Sequence, residues 1–377
     1  MARTPQAYVR GATEKFYEWL QSDARACLPE GPAVWICGDC HLGNLGPLAD
    51  VRGDVSIQIR DLDQTVIGNP AHDLVRLALS LATAAQESDL PGVTTAQILE
   101  QMVEGYTEAL SAPAWASELD TPMPKPVARV MQQALRRRWR QLAVERIDDV
   151  RPTIPMGRKF WPLSREERGE LQALFREDSV RSLITALKRR NSQARIEVLD
   201  AAYWMKGCSS LGRLRYAVIV GVGGKQHCLI DIKEAVAAAA PISSNAVMPQ
   251  DQAERVVMGA RALAPYLGQR MLPARLLERS VVVRELLPQD LKLEFEQLTS
   301  RQARRAARFL AGVVGHAHAR QMDEKQRAAW LKELNRHRPK NLDAPSWLWS
   351  SVVELIAFHE TAYLEHCRRY ALQQATA

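Results

Sequence analysis

The 377-residue chain has no hydrophobic run that approaches the roughly 20 apolar residues of a membrane-spanning helix. Its first residues, Met-Ala-Arg-Thr-Pro-Gln, contain no apolar signal region, and internal repeats and low-complexity segments are not evident. The expected location is therefore the cytoplasm, with no membrane partner. Contents of 46% apolar and 25% charged residues are ordinary for a globular protein, and the length allows two domains or lobes.

Cysteine gives no recognisable pattern either. The six thiols are scattered, and the C-x-x-C from Cys37 to Cys40 has no second pair, which a zinc site would require. A redox motif would place the pair at the start of a helix that follows a strand. Because Asp39 lies between the two cysteines and is needed for other chemistry, the preferred interpretation is incidental thiols without disulfides.

The chain has 50 Lys and Arg residues against 43 Asp and Glu residues, which gives a net charge of +7. A basic chain suits polyanionic partners such as nucleotides and phosphorylated substrates. Two arginine-rich runs, Arg136–Arg140 and Arg301–Arg308, contribute to this charge, and solvated helix faces are the simpler explanation of both. A nucleic-acid partner is therefore not expected.

The ten residues Cys37–Gly46 are the most informative part of the chain. They place a carboxylate, an imidazole and a carboxamide at Asp39, His41 and Asn44, with glycine on both sides. As a catalytic candidate, His41 would contact the carboxylate or the phosphates of a substrate. The alternative is a scaffold role in which His41 hydrogen-bonds the backbone.

A second acidic cluster follows the alternating segment Val55–Ile59, which predicts a short strand that delivers Asp61 to its end. Mg²⁺ takes oxygen ligands from one or two carboxylates and from phosphates, and an acceptor hydroxyl needs a base. The residue types therefore predict a Mg²⁺-dependent phosphoryl-transfer site in which Asp39 is the base and Asn44 and Asp61 hold the metal. Asp63 is either a second metal ligand or a turn carboxylate.

These segments resemble the aminoglycoside phosphotransferase and protein-kinase-like superfamily. Its pattern is His-Gly-Asp-x-His-x-Gly-Asn, a short strand, an Asp-aromatic-acid triplet and then Gly-Asp-Pro-x-x-Asp-Leu-Ala. Cys37 stands in place of the first His and Leu62 in place of the aromatic residue, within a matching span of about Val34 to Ser80. The positions that keep the pattern are Gly38, Asp39, His41, Gly43, Asn44, Pro70, Asp73, Leu74 and Ala78.

The resemblance implies a two-lobed, protein-kinase-like α+β fold with ATP and Mg²⁺ as cofactors. It assigns the catalytic base to Asp39, metal binding to Asn44 and Asp61, and a buried structural role to Asp73. The whole chain also resembles the bacterial family known only as domain of unknown function 2252, which names no substrate. The segments that carry this second resemblance are Tyr8–Ala12 and Ala317–Arg320.

The character of the chain changes near residue 196, where strand formers and glycine become frequent. The expected order is a strand, a glycine loop, a strand, a turn at Gly223–Gly224 and a strand that ends in a lysine. A glycine loop lets backbone N–H groups approach phosphates, and the lysine can reach the α and β phosphates. The cofactor-binding candidates are Gly207, Ser209, Ser210 and Gly212 in the loop, Lys233 on the strand, and Glu254 on a helix predicted over Asp251–Ala264, which would hold the lysine.

In ordinary kinase-like proteins the glycine loop precedes the catalytic loop, whereas here it follows by about 170 residues. A circular permutation accounts for this order, since chain termini often lie close together. The predicted units are a helical catalytic lobe over 1–195, a small antiparallel-sheet lobe over 196–290 and C-terminal helices over 291–377 that pack on the catalytic lobe. Continuous helices are predicted over Lys125–Arg146 and Glu166–Arg190.

Other classes of protein are alternatives to the active phosphotransferase. The run Gly315–His318 resembles the terminal metal motif of calcineurin-like phosphoesterases, but no upstream Asp-x-His or Gly-Asn-His-acid accompanies it. His318 is better explained as a packed or hydrogen-bonded residue of a helix. A nucleotide-binding pseudokinase or regulatory module, and transfer of AMP in place of phosphate, remain open. The acceptor is expected to carry a hydroxyl group, on a small molecule or on a protein.

Overall fold

The structure, a computed structural model, describes residues 4–22, 28–112, 122–147, 152–188, 190–206, 212–224, 226–293, 298–336 and 345–375. Within these ranges every helix is too short or too polar to cross a lipid bilayer. The helices are α1 (Pro5–Gly11), α2 (Thr13–Leu20), α3 (Pro70–Glu87), α4 (Gly92–Ser111), α5 (Lys125–Arg136), α6 (Trp139–Ile147), α7 (Arg165–Leu174), α8 (Asp178–Thr185), α9 (Gln252–Leu263), α10 (Pro265–Gly268), α11 (Ser300–Ala319), α12 (Glu324–Asn335) and α13 (Ser346–Ala375). The strands are β1 (Val34–Ile36), β2 (Leu45–Ala49), β3 (Val55–Ile59), β4 (Val66–Gly68), β5 (Phe160–Trp161), β6 (Ile196–Trp204), β7 (Arg215–Val222), β8 (Gln226–Glu234), β9 (Met271–Leu276) and β10 (Arg279–Leu286).

The largest sheet of the described chain has the strand order β5-β6-β7-β8-β10-β9, and all neighbouring strands run antiparallel. The strand-rich region predicted after residue 196 corresponds to β6, β7 and β8, and Lys233 lies near the end of β8. The turn at Gly223 and Gly224 is confirmed, since both residues have positive φ angles that glycine tolerates best. Together with the helices, this sheet confirms the predicted α+β class.

Different helices cover the two faces of this sheet because side chains alternate along each strand. On one face, residues such as Val218 and Ile230 share a buried cluster with apolar residues of α7 and α8. On the other face, Ala217, Ile219 and Leu229 cluster with apolar residues of α6. Helices α7 and α8 precede the boundary predicted at residue 195. Their apolar residues nevertheless pack against the large sheet, which follows that boundary.

Helix α3 is the centre of the main hydrophobic core. Nearly all of its residues are buried, and Asn69 caps its start by accepting a hydrogen bond from the backbone N–H of Ala71 at 3.0 Å. Helices α1, α4, α11 and α13 contact it, and α11 also packs extensively against α4. The C-terminal helices therefore lie on the first half of the chain.

Two short strand pairs carry the polar loops. Strand β1 pairs with β4, and β2 pairs with β3, which coincides with the predicted strand Val55–Ile59. The loop that begins at Cys37 follows β1 and enters β2 through a 3-10 turn over Leu42–Asn44. Asp61 follows the end of β3 by two residues, so the two loops lie at adjacent strand ends.

Two helices predicted as continuous are divided in the structure. The segment Lys125–Arg146 forms α5 and α6, which are separated at Arg137, where the backbone is extended. The side chain of Gln141 accepts a backbone N–H at the start of α6, which satisfies one of its unpaired donors. The segment Glu166–Arg190 forms α7 and α8, separated at Glu177, whose backbone is also extended. Neither break contains Gly or Pro, so helical periodicity did not reveal them.

The contact between α4 and α11 depends on Gly105. A Cβ atom at this position would lie 1.9 Å from the backbone oxygen of Arg308 on α11. Because the helix backbone has to move, Gly105→Ala is expected to lower the free energy of unfolding by about 1–3 kcal/mol or more, measured by urea denaturation. The matched control is Gly169→Ala on the exposed face of α7, where a Cβ meets nothing within 4 Å and a gain of about 0.5–1 kcal/mol is expected. Equal effects of the two changes would contradict the packing argument.

Candidate functional site

The loop after β1 has a backbone that only glycine can adopt at its second residue. Gly38 has a φ angle of +74°, and a Cβ at this position would lie 2.1 Å from the backbone oxygen of Gln64. The hydroxyl of Tyr17 donates a hydrogen bond to the Gly38 carbonyl at 2.5 Å. The loop that carries Asp39 is thus pressed against the loop that carries Asp61 and Asp63.

A buried carboxylate on α3 anchors this loop. The Oδ2 atom of Asp73 accepts the backbone N–H of Cys37 at 2.7 Å, and Oδ1 accepts that of Gly38 at 3.0 Å. The side chain is fully buried, and the imidazole of His318 lies 3.1 Å from Oδ2. The predicted role of Asp73 as a buried structural carboxylate is confirmed.

The same carboxylate begins a chain of buried polar side chains. His318 Nδ1 lies 2.9 Å from the hydroxyl of Tyr106, and the indole of Trp330 donates to that hydroxyl at 3.1 Å. Every group is satisfied when Tyr106 donates to Nδ1 and His318 donates from Nε2 to Asp73. This chain joins α3, α4, α11 and α12, and it confirms His318 as a hydrogen-bonded residue of a helix.

Asp39 is held by an arginine that the sequence did not single out. The Nε atom of Arg76 donates to Oδ1 of Asp39 at 2.9 Å, and its Nη2 atom donates to the Val9 carbonyl at 2.7 Å. Arg76 is almost fully buried, whereas the Asp39 side chain is 17% exposed. The other carboxylate oxygen, Oδ2, lies 3.8 Å from Nε2 of His41. One oxygen of Asp39 is therefore fixed by a cation and the other faces His41.

His41 is a neutral imidazole at the edge of a cleft. Burial lowers its pKa from 6.5 to about 4, although the charge of Asp39 acts in the opposite direction. Its Nδ1 atom is buried and has no hydrogen-bond partner among the residues that the structure describes. His41 thus lies near the Asp39 carboxylate, and its catalytic role stays a prediction.

Asn44 and Asp61 line one and the same cleft. The amide nitrogen of Asn44 donates to the backbone oxygen of Asp39 at 2.9 Å, so its carbonyl oxygen is the group it can offer to a ligand. Desolvation in the cleft raises the pKa of Asp61, but the charges of Lys233 and Arg284 outweigh this effect and lower that pKa below its ordinary value. The cleft therefore contains an anionic oxygen and a neutral oxygen that could bind a cation.

The cleft has a volume of about 530 Å³ and is strongly cationic. It lies between the loop of Asp39, the end of β3, helix α6 and the large sheet. Its charged lining residues are Arg10, Arg60, Arg146, Lys206, Arg215, Lys233, Arg284 and Lys292, against Asp61 and Asp290. Eight basic side chains against two acidic ones give the cleft an excess of positive charge, although burial lowers the pKa of Lys206 to about 6.

One face of the large sheet supplies the polar wall of the cleft. The face whose apolar end is covered by α6 also carries Arg215, Asp231, Lys233 and Arg284. Along their strands these residues follow at intervals of two from Ala217, Leu229 and Leu286, so their side chains point to the same side. Arg215 donates to both oxygens of Asp231, at 2.9 and 2.6 Å. Burial raises the pKa of Asp231, but Arg215, Lys206 and Arg284 lower it to about 2.

Lys233 contacts a different partner from the one predicted. Its ammonium pairs with the Asp63 carboxylate, while Glu254 is exposed in the first turn of α9. The expected Lys233–Glu254 pair is therefore not formed. Burial lowers the pKa of Lys233, and the charge of Asp61 acts against that shift. The Asp63 carboxylate is engaged in this ion pair, which leaves it less available as a metal ligand.

Helix α9 is instead joined to the site by the next residue, Arg255. This buried side chain donates to the backbone oxygens of Asp63, Thr65 and Val236. Of the predicted glycine loop, Gly207, Ser209 and Ser210 lie outside the described residues. Gly212 is described as a turn residue with a φ angle of +73°, and it is not among the residues that line the cleft.

These features define a mixed α+β protein in which a carboxylate–amide loop borders a cationic cleft. The model of one protein family, described as an uncharacterized protein conserved in bacteria (DUF2252), matches residues 1–369. The chain belongs to this family. A comparison with curated proteins and a comparison with solved structures each found no match.

Removal of the central hydroxyl tests the buried polar chain. Tyr106→Phe leaves the Trp330 indole and the His318 ring nitrogen without their partner, and a loss of about 1–3 kcal/mol in the free energy of unfolding is expected. Tyr370→Phe, the same change at a half-exposed position on α13, is expected to change stability by less than about 0.5 kcal/mol. Urea denaturation of both variants gives the comparison, and equal losses would show that the hydroxyl of Tyr106 is not needed.

The lowered pKa of His41 predicts acid lability. Between its folded pKa of about 4 and its ordinary value of 6.5, the unfolded chain binds more protons, so stability falls as the pH falls through this window. Between pH 7 and about pH 4.5, wild type should lose about 2 kcal/mol more than His41→Gln in urea denaturation. Other buried histidines titrate in both proteins and cancel in the difference. Identical pH profiles would show that His41 is not buried as a neutral ring.

Proposed function

We propose that this chain is an ATP- and Mg²⁺-dependent phosphotransferase that moves the γ-phosphoryl group to the hydroxyl group of an acceptor. The observation that carries this proposal is the cationic cleft, with Asn44 and Asp61 in its wall and the Asp39 loop at its edge. Its volume lies within the range of roughly 300–1,000 Å³ that small-molecule sites occupy. The excess of positive charge matches a triphosphate.

The residues in the wall fit a magnesium ion. Mg²⁺ prefers oxygen ligands and takes one or two carboxylates together with phosphate oxygens and water. Asp61 offers a carboxylate kept ionised by neighbouring cations, and Asn44 offers the carbonyl of an amide whose nitrogen is already engaged. When bound, the ion would neutralise charge on the phosphates and help to orient them.

Asp39 is proposed as the base. The Oδ2 atom would take the proton of the acceptor hydroxyl as that oxygen forms its bond to the γ-phosphorus and ADP leaves. Arg76 holds the other oxygen and so orients the carboxylate. His41 is neutral and therefore adds no positive charge beside Oδ2. A positive charge at that position would weaken the base. Lys233 would contact the phosphates that are not transferred.

The fold proposed for this activity is protein-kinase-like and circularly permuted. Support comes from the chain order: the Asp39 loop precedes a β6-β7-β8 meander whose third strand carries Lys233, and α9 follows that meander. Two features depart from the expected pattern. Lys233 pairs with Asp63, and Arg255 connects α9 with the loop beside it.

Nucleotide binding tests the site assignment. Calorimetric titration with a non-hydrolysable ATP analogue should show binding that depends on Mg²⁺. Asp61→Ala should weaken that binding about tenfold or more because it removes a charged metal ligand. Asp39→Ala should bind the analogue within about threefold of wild type but abolish ADP formation from ATP with water as acceptor.

The matched control is Asp54→Ala, which removes an exposed carboxylate from the turn between β2 and β3. It should leave nucleotide binding and ADP formation unchanged. Pyrophosphate in place of ADP would indicate AMP transfer. Absence of Mg²⁺-dependent binding by wild type would overturn the proposed function.

A further inference from the structure

The cleft holds more positive charge than the proposed nucleotide site employs. Arg215 is paired with Asp231 and Lys233 with Asp63, so these two cations have carboxylate partners within the protein. Three further arginines come from separate elements: Arg60 directly follows β3, Arg146 lies in the last turn of α6, and Arg284 lies on β10. All three line the cleft.

Two of these arginines have donors that the described part of the protein does not satisfy. The Nε atoms of Arg60 and Arg146 are buried and have no hydrogen-bond partner among the described residues. Among the described residues, Arg284 makes only long contacts, 3.3 Å to the Arg60 carbonyl and 3.4 Å to an Asp231 oxygen that Arg215 already holds at 2.6 Å. Since buried donors in native proteins are nearly always paired, a ligand with several acceptor oxygens fits this cluster.

Two of the surrounding acids are shared with other arginines. Asp290 borders the same cleft, but both of its oxygens accept hydrogen bonds from Arg270, at 3.1 and 2.9 Å. Glu145 pairs with Arg146 and also with Arg137, and its side chain is 41% exposed. Arg60, Arg146 and Arg284 line the same cleft, which brings their like charges close together. The three guanidinium groups therefore repel one another across the cleft.

We propose that Arg60, Arg146 and Arg284 form a second anion subsite that binds a phosphate group carried by the acceptor. The acceptor class is then a phosphorylated compound with a free hydroxyl group. Guanidinium groups match the geometry of phosphate oxygens, and three of them favour a dianion over a carboxylate. Arg60 directly precedes Asp61, so the subsite adjoins the proposed metal ligand, where an acceptor has to lie. This inference rests on the proposed function.

The test is a titration of inorganic phosphate into protein already saturated with Mg²⁺ and the non-hydrolysable ATP analogue, at constant ionic strength. Phosphate is expected to bind to the saturated protein, and acetate to bind at least about tenfold more weakly. Equal binding of acetate would overturn the phosphate class. If phosphate instead competes with the analogue, all the cations serve the nucleotide and the inference fails, although the proposed function stands.

A pair of variants on α6 locates the subsite. Arg146→Gln should weaken phosphate binding about tenfold or more and leave the analogue affinity within about threefold. Arg140→Gln removes the same charge from an exposed position on the same helix and should change neither affinity. Equal effects of the two variants on phosphate would overturn the assignment. Circular dichroism checks that both variants are folded. The competition between phosphate and the analogue is measured on the wild-type protein and does not depend on any variant. If the analogue itself does not bind, the proposed function fails first.

Discussion

The arrangement of the site depends on one buried carboxylate. Asp73 receives two backbone N–H groups of the Asp39 loop and the imidazole of His318, which lies 245 residues further along the chain. A fully buried charge is tolerated only when such donors compensate it, so the loop and α11 are held in a single arrangement. Gly38, whose backbone N–H donates to Asp73, has a positive φ angle and lies close to Gln64. The loop of Asp39, which contributes His41 and Asn44 to the cleft, is thus anchored to the main core.

The large sheet combines two requirements on one face. At one end, apolar residues such as Ala217 and Leu229 are covered by α6, which holds that helix in place. At the other end, Arg215, Lys233 and Arg284 replace them and face the cleft. Because α6 is fixed by the apolar end, its last turn delivers Arg146 to the charged end. The favourable packing of the apolar half therefore offsets the repulsion between the like charges at the other end.

The residue types and motif spacings of the sequence predicted much of the site. Asp73 and His318 have the buried roles expected of them, and Asn44 and Asp61 line a common cleft. The partner of Lys233 was not predicted, because this ion pair depends on the relative position of β8 and the loop that carries Asp63, 170 residues earlier in the chain. Arg76 was missed as the partner of Asp39 for the same reason: its place on α3 gave no signal beyond an apolar helix.

Three features follow from the amino-acid sequence alone, since glycine, alternation and motif spacing are local properties: the α+β class, the strand–turn–strand order after residue 196, and the residue types around Asp39. Which charges meet depends on the tertiary packing. The cluster of Arg60, Arg146 and Arg284 joins a strand end, a helix end and a strand that are far apart in the chain. No local pattern marks such residues, because electrostatic energy depends on distance in space and on burial, which are properties of the packed fold.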